Sequence, residues 1–219
     1  METGRLIAFE GCEGTGKTTQ ARMLADRLDA VGYETLVTRE PGGTFGAEAI
    51  RNLVLSGSKD RWSGITELLL MYAARVDHVE KRIRPALGRG VWVISDRFSD
   101  SSLAYQGYAR GLGKECVAAV HEAVMDGFKP DMTILFDMDP VLAMKRVEMR
   151  GEKLSRFDVE TIEFHNTLRT AFLDIAKDKS DCIQTIDANA SREAVHTRIC
   201  YLLSSGFPGL AEKFARIGT

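Results

Sequence analysis

The chain has 219 residues, enough for one α/β domain built around a single large core. Hydrophobic residues make up 44% and charged residues 27%, a globular balance that excludes a disordered chain, and no run approaches the ~18 apolar residues of a membrane span. Lys and Arg number 29 against 31 Asp and Glu, for a formal charge of −2, so no bulk field draws the chain to nucleic acid or to an anionic membrane. Any phosphate it binds must be held by locally placed groups.

The first ten residues lack the cationic stretch and long apolar run of a secretory signal. Residues 5–10, R-L-I-A-F-E, read as a buried strand, and a glycine loop follows. From Thr18 the apolar positions Ala21, Leu24, Ala25, Leu28 and Val31 share one helical face, which Gly32 terminates. Further strands are expected at 34–38, 91–95, 132–136 and 182–186. Helical patterns lie between them at 47–55, 66–83, 114–125, 140–150, 159–177 and 191–203. The tail 206–219, carrying Leu210, Phe214 and Ile217, reads as a short surface-packed helix. Near-continuous apolar strands separated by helices predict an α/β fold, a doubly wound five-stranded parallel sheet covered on both faces. No internal repeat divides the chain, so residues 1–219 are expected to form a single domain. Cys12, Cys116, Cys182 and Cys200 are scattered, with no C-x-x-C pair. That pattern predicts free thiols in a reducing compartment, hence a cytoplasmic protein. His121-Glu122 opens like a zincin helix but lacks the second His, so no zinc site is expected.

The glycine loop carries the strongest local signal. Gly11, Cys12, Glu13, Gly14, Thr15, Gly16, Lys17 and Thr18 match G-x-x-x-x-G-K-[ST] between a strand and a helix. The glycines let successive backbone N–H groups turn toward one anion, and the helix N-terminus adds partial positive charge. Lys17 can reach β/γ-phosphate oxygens, and the Thr18 hydroxyl can ligate Mg²⁺. Cys12 sits among these amides, an environment expected to favour its thiolate. The loop predicts nucleoside triphosphate binding but not the use made of it. The guanine-reading N-K-x-D of a switch GTPase is absent. Instead, cations follow the strands: Arg39 after the second, Asp96-Arg97 after the third, and Arg146, Arg150, Lys153 and Arg156 beyond the fourth. Strand carboxyl ends are where doubly wound sheets bind ligands. Asp96 stands where a carboxylate could hold Mg²⁺ directly or through water.

Over essentially its whole length the chain resembles the bacterial thymidylate kinases, which are P-loop nucleoside monophosphate kinases with a three-layer α/β/α fold and a short lid. The motifs are F-E-G-C-E-G-T-G-K-T-T (9–19), T-R-E-P-G-G-T (38–44), Y-A-A-R (72–75), S-D-R-F (95–98) and S-S-L-A-Y-Q-G (101–107), with R-G-E-K-L-S-R-F-D (150–158) as the lid. The resemblance implies transfer of the γ-phosphoryl of ATP to dTMP with Mg²⁺, and a homodimer. It implies that Arg97 spans the acceptor phosphate and the γ-phosphoryl, and that Arg51 grips the acceptor phosphate. Arg75 and Gln106 would read the thymine edge. Ser101 and Ser102 would lie beside base and phosphate, and Tyr105 would crowd the sugar against a 2′-hydroxyl. Glu13 would face the 3′-hydroxyl or a Mg²⁺-bound water; Glu40 and Pro41 would form the acceptor wall, with Glu40 a further holder of a metal-bound water. Since the variable loop positions carry no basic residue, the chain resembles the branch in which the lid supplies transition-state charge. Arg156 is then the mobile catalytic cation beside Lys17 and Arg97. Arg150 would stack on adenine, and Asp187 and Asn189 would close its other side.

Other readings stand beside these. Arg146 and Arg150, four apart, also suit a solvated helix face, and Ser101 a plain helix cap. The family usually places Phe where this chain has Met71, four residues before Arg75, so Met71 is the candidate to cover the thymine face; such residues as Met71 and 68–70 are more often core than ligand wall. A kinase for another monophosphate, or a P-loop binding protein without an acceptor, would share the loop.

Overall fold

The computed structural model describes residues 4–58, 60–149, 151 and 155–216. In chain order the elements are β1 (Leu6–Glu10), α1 (Lys17–Ala30), β2 (Thr35–Arg39), α2 (Phe45–Leu55), α3 (Gly64–His78), α4 (Arg84–Gly88), β3 (Trp92–Asp96), α5 (Ser99–Ser102), α6 (Lys114–Met125), β4 (Met132–Asp137), α7 (Pro140–Met149), α8 (Ile162–Asp178), β5 (Ile183–Asp187), α9 (Arg192–Gly206) and α10 (Pro208–Arg216). The strands form one parallel sheet in the order β2-β3-β1-β4-β5, with Ile7 opposite both Ile94 and Met132. The doubly wound α/β fold read from the sequence is the one observed.

Alternate strand residues leave by opposite faces, and both faces are apolar, which is why the strands lack a polar alternation. Ile7, Phe9, Ile94, Phe136 and Ile186 pack under α1, α9 and α10, through Leu24, Leu28, Ile199, Leu203 and Phe214. Leu6, Ala8 and Val93 face the other way, onto Leu68, Tyr72, Ile83 and Val117. Leu135 and Ile183 extend that side onto Leu168, Phe172 and Ile175 of α8. No helix among the described residues is long and apolar enough to cross a membrane.

Boundaries shift from the expected ones where a side-chain cap sets the start. Thr44 accepts from the Ala47 amide at 3.1 Å and starts α2 at Phe45. Thr161 caps Phe164 and starts α8 at Ile162 rather than 159. The helix expected over 66–83 ends at His78, where a π-helical stretch, Val79–Ile83, leads into α4. A second π-helical stretch, Leu103–Ala109, continues α5 and was not anticipated, because S-S-L-A-Y-Q-G offers no apolar period. Such wide turns concentrate at functional sites. The expected tail helix is present as α10; Ile217 lies outside the described residues.

Candidate active site

The loop between β1 and α1 is shaped by backbone torsions that only glycine adopts readily. Gly11 (φ 130°) and Gly14 (φ 76°) also approach neighbouring backbone so closely that a Cβ would meet the carbonyls of Phe136 and Ala143. Gly16 caps α1 without a side-chain hydrogen bond, leaving the first amides of a 14-residue helix open to an anion. Lys17 folds over the loop, donating to the carbonyls of Cys12 at 2.7 Å and Gly11 at 3.1 Å, and Thr15 Oγ1 donates to Cys12 O. Burial and nearby Arg97 lower the Lys17 pKa. The Cys12 thiol is buried, and desolvation pushes it up to about 11, overcoming Lys17 and Arg97. The expectation of a favoured thiolate is therefore corrected: its backbone belongs to the loop, but its side chain packs with Leu135, Phe157 and Phe172.

A cleft of about 850 Å³ opens at the carboxyl ends of the strands. It takes in every residue expected around the acceptor: Glu13, Glu40, Pro41, Arg51, Met71, Arg75, Arg97, Ser101, Ser102, Tyr105 and Gln106. Thr18 and Asp96 line it too, with Thr18 Oγ1 donating to Asp96 Oδ2 at 2.5 Å.

Arg97 occupies the centre. Its backbone sits at φ 75°, a left-handed conformation costly for a non-glycine residue, and is held there by Arg97 N donating to Phe9 O at 2.8 Å and Ser95 Oγ donating to Arg97 O at 2.7 Å. The side chain donates to Glu13 at 2.7 Å, Ser101 Oγ at 3.0 Å and Tyr105 Oη at 3.2 Å. Burial opposes its charge, but Glu13 and its other acidic neighbours hold the guanidinium well above its ordinary pKa. Burial works against the Glu13 carboxylate as well, yet Arg97 and Lys17 draw it down to about 2.

Arg75 is buried and directed by three acceptors: Glu40 Oε2 at 2.6 Å, Ser102 Oγ at 3.0 Å and Phe98 O at 3.0 Å. Two of its five N–H groups stay free of these bonds. Glu40 gives its other oxygen to His78 Nδ1 at 3.2 Å, while His78 Nε2 meets Thr38 Oγ1 at 2.7 Å. Both oxygens of Glu40 are thus engaged with protein, and one of them orients Arg75. Arg51 donates to Pro41 O at 2.8 Å. Met71 lines the cleft, whereas Tyr72 turns away to His121 Nδ1 at 3.2 Å. Tyr105 packs edge-on against Phe157, Phe164 and Phe172.

The adenine side is less assembled. Asp187, the last residue of β5, and Asn189, on the turn that follows, lie exposed outside the cleft, and Asp187 accepts from the Asn189 amide and side chain at 2.9 and 2.7 Å. Arg146 reaches Ala188 O across that turn at 3.3 Å, which ties it to the protein rather than to solvent alone. Arg150 and Lys153 lie outside the described residues. Arg156, expected as an exposed lid cation, is instead 3% exposed: it pairs with the wholly buried Glu67, and its Nε donates to Val54 O at 2.5 Å. In this conformation it neutralises a buried carboxylate and does not line the cleft.

Three features escape sequence reasoning. Glu10, at the end of an apolar strand, is buried and accepts from Phe98 N, Ser101 N and Ser101 Oγ at 2.9, 3.0 and 2.6 Å. Burial and nearby Asp100 raise its pKa to about 7. Glu67 looks like a favourable charge in a helix's first turn and proves to be an internal node. Arg169 grips Asp137 with two bonds, at 2.7 and 2.9 Å, behind the loop. An acidic residue closing an otherwise apolar strand is the one available signal, for Glu10.

The sequence model of the thymidylate kinase family matches residues 9–199. A thymidylate kinase of Caulobacter vibrioides is 48% identical over 199 residues, covering 91% of this chain and 95% of that protein. One from Ruegeria pomeroyi is 47% identical over 193 residues, 88% of this chain and 91% of its own. Among solved structures, the thymidylate kinase from Ehrlichia chaffeensis superposes with a TM-score of 0.75 at 32% identity, covering 92% of this chain and 99% of that one.

Proposed function

The chain belongs to the thymidylate kinase family, and from that premise we propose that it transfers the γ-phosphoryl of ATP to dTMP, giving dTDP and ADP for dTTP synthesis. The observation that carries the reading is the cleft itself, which joins Glu13 and Thr18 of the phosphate loop to Arg51, Arg75 and Arg97 and to Met71 and Gln106. A P-loop binding protein without an acceptor has no use for that second half.

The chemistry asks for little beyond placement. A monophosphate has a second pKa near ~6 and attacks as a dianion at neutral pH without a general base. The barrier lies in bringing two polyanions together and in the charge on the transferring group. The loop amides and Lys17 hold the donor phosphates; Arg51 and Arg97 hold the acceptor phosphate, and Arg97 also meets the γ-phosphoryl. Ser101 and Ser102 fix Arg97 and Arg75, and Tyr105 closes the sugar pocket. Thr18 and Asp96, a hydroxyl and a carboxylate in contact at the loop, are the hard oxygen donors that suit Mg²⁺. When bound there, the ion would neutralise phosphate charge. Arg150, Asp187 and Asn189 are assigned to adenine, and Arg156 adds charge at the transition state only after leaving Glu67.

A cytoplasmic location accords with the scattered cysteines. A homodimer through α2 and α3 accords with the exposed apolar side chains Phe45, Leu53, Ile65 and Leu69 beside the acceptor side. The deciding experiment is an acceptor screen with ATP-Mg²⁺ against the common nucleoside monophosphates. Preferential turnover of dTMP supports the assignment, and preference for another monophosphate or none overturns it.

A further inference from the structure

We propose that Glu67 is a specificity-determining positioning residue, which fixes the side-chain amide of Gln106 so that the acceptor cleft presents a hydrogen-bond acceptor to the base. This rests on the dTMP reading above and adds a residue to it.

The geometry begins in the first turn of α3. Glu67 and Gln106 are both wholly buried, and Gln106 Nε2 lies 2.6 Å from Glu67 Oε1. A carboxylate oxygen only accepts, so the nitrogen of the Gln106 amide must face it. The flipped amide would set two acceptors against each other at that distance. Glu67 cannot turn aside to relieve them, because Arg156 Nη2 holds its second oxygen and Arg110 Nε stands 3.7 Å from its first. The Gln106 oxygen is left over. It is buried and has no hydrogen-bond partner among the described residues, on a side chain that lines the cleft.

A buried acceptor without a partner calls for a donor from the ligand. Thymine and uracil offer N3–H beside the O4 acceptor; cytosine presents the reverse, an N3 acceptor beside the N4 amino donor. Gln106 Oε1 and the donor Arg75, which line the same cleft, are therefore together complementary to the first pair and opposed to the second. The preference is set by the oxygen–nitrogen sense of one amide, and that sense is dictated by Glu67. Discrimination of this kind, through a buried polar group left unpaired by the wrong ligand, is stronger than discrimination by one methyl group.

The test is E67Q, measured as kcat/KM for dTMP, dUMP and dCMP. An amide at position 67 both donates and accepts, so it no longer forces one orientation on Gln106. The expected result is a fall of at least about 10-fold in the dTMP:dCMP ratio, with dTMP:dUMP held within roughly 2-fold because those bases share the N3–H. In a Q106L background E67Q should leave the dTMP:dCMP ratio where Q106L alone puts it, as befits a residue acting through Gln106. Equal losses on all three acceptors, with the ratios unmoved, mean that Glu67 only supports the fold and overturn the proposal. Should E67Q fail to fold, calorimetry on the unaltered enzyme decides. N3-methyl-dTMP should bind at least about 30-fold more weakly than dTMP, and binding within about 3-fold overturns the assignment of Oε1 to N3–H. If the unaltered enzyme does not turn over dTMP, the dTMP reading falls and takes this proposal with it. If dTMP is turned over and the ratios do not respond, the proposal alone fails.

Discussion

Arg156→Ala should destabilise the protein markedly, contrary to what its place in a lid motif implies. An exposed loop arginine contributes on the order of 0–1 kcal/mol. Here the guanidinium is buried against Glu67, which is itself without exposure, donates to Val54 O at 2.5 Å and lies 4.3 Å from the Phe157 ring centroid. Its backbone amide adds a bond to Leu55 O at 3.3 Å that the substitution does not remove. Removing one partner of a buried pair leaves the other charge uncompensated, at a cost of about 3–5 kcal/mol. Gln106 and Arg110 still face Glu67, so the lower end applies, about 3 kcal/mol. For a chain of this size that is a fall in Tm of roughly 6–12 °C. Thermal unfolding by calorimetry or circular dichroism reads it directly, and R156M/E67Q, which removes the charge as well as its partner, should recover part of the loss. Activity is the wrong discriminator, since a catalytic cation and a structural one both lower kcat. A Tm within about 2 °C of wild type for Arg156→Ala, with no recovery in the double variant, would refute the buried pair and restore the exposed lid cation.

Lys17→Ala and Arg97→Ala should each lower kcat at least ~10²-fold with folding intact, the usual scale for losing one transition-state charge partner; near-wild-type turnover in either rejects its catalytic role. Glu10 gives a pH signature: its folded pKa of about 7 exceeds the ordinary 4.5, so between those values the unfolded chain binds fewer protons and stability falls as pH rises. The loss is on the order of 3 kcal/mol and levels off above the upper value; E10Q should flatten urea-derived stability across that window, and an unchanged slope removes Glu10 as its source. Cys12, buried with its thiol pushed up to about 11, should react with iodoacetamide at neutral pH far more slowly than exposed Cys182, read by peptide mass spectrometry; faster labelling of Cys12 contradicts the burial. Met71→Phe should change KM for dTMP only modestly and Met71→Ala should raise it clearly, with dTMP preferred over dUMP by no more than roughly 10–200-fold. Wild-type kinetics in Met71→Ala would make Met71 a core residue.

What the sequence determined by itself was whatever rests on local spacing. Five apolar runs separated by helical periods specify a parallel sheet, because a strand covered on both faces has no polar alternation to show. The loop from Gly11 to Thr18 carries its meaning in consecutive residues, since an anion nest is built from adjacent amides. The acceptor residues could be named through the family's motifs, and the fold gathers them in one cleft. Only the tertiary structure decided how those side chains are held. Glu40 lies 35 residues from Arg75, and Glu67 lies 39 from Gln106 and 89 from Arg156, so no local pattern announces either arrangement. The burial of the Cys12 thiol and the pairing of Arg156 with Glu67 escape the sequence for the same reason. Whether a thiol ionises, or an arginine is free to move, depends on desolvation and on partners brought in by distant segments, and neither is a property of neighbours in the chain.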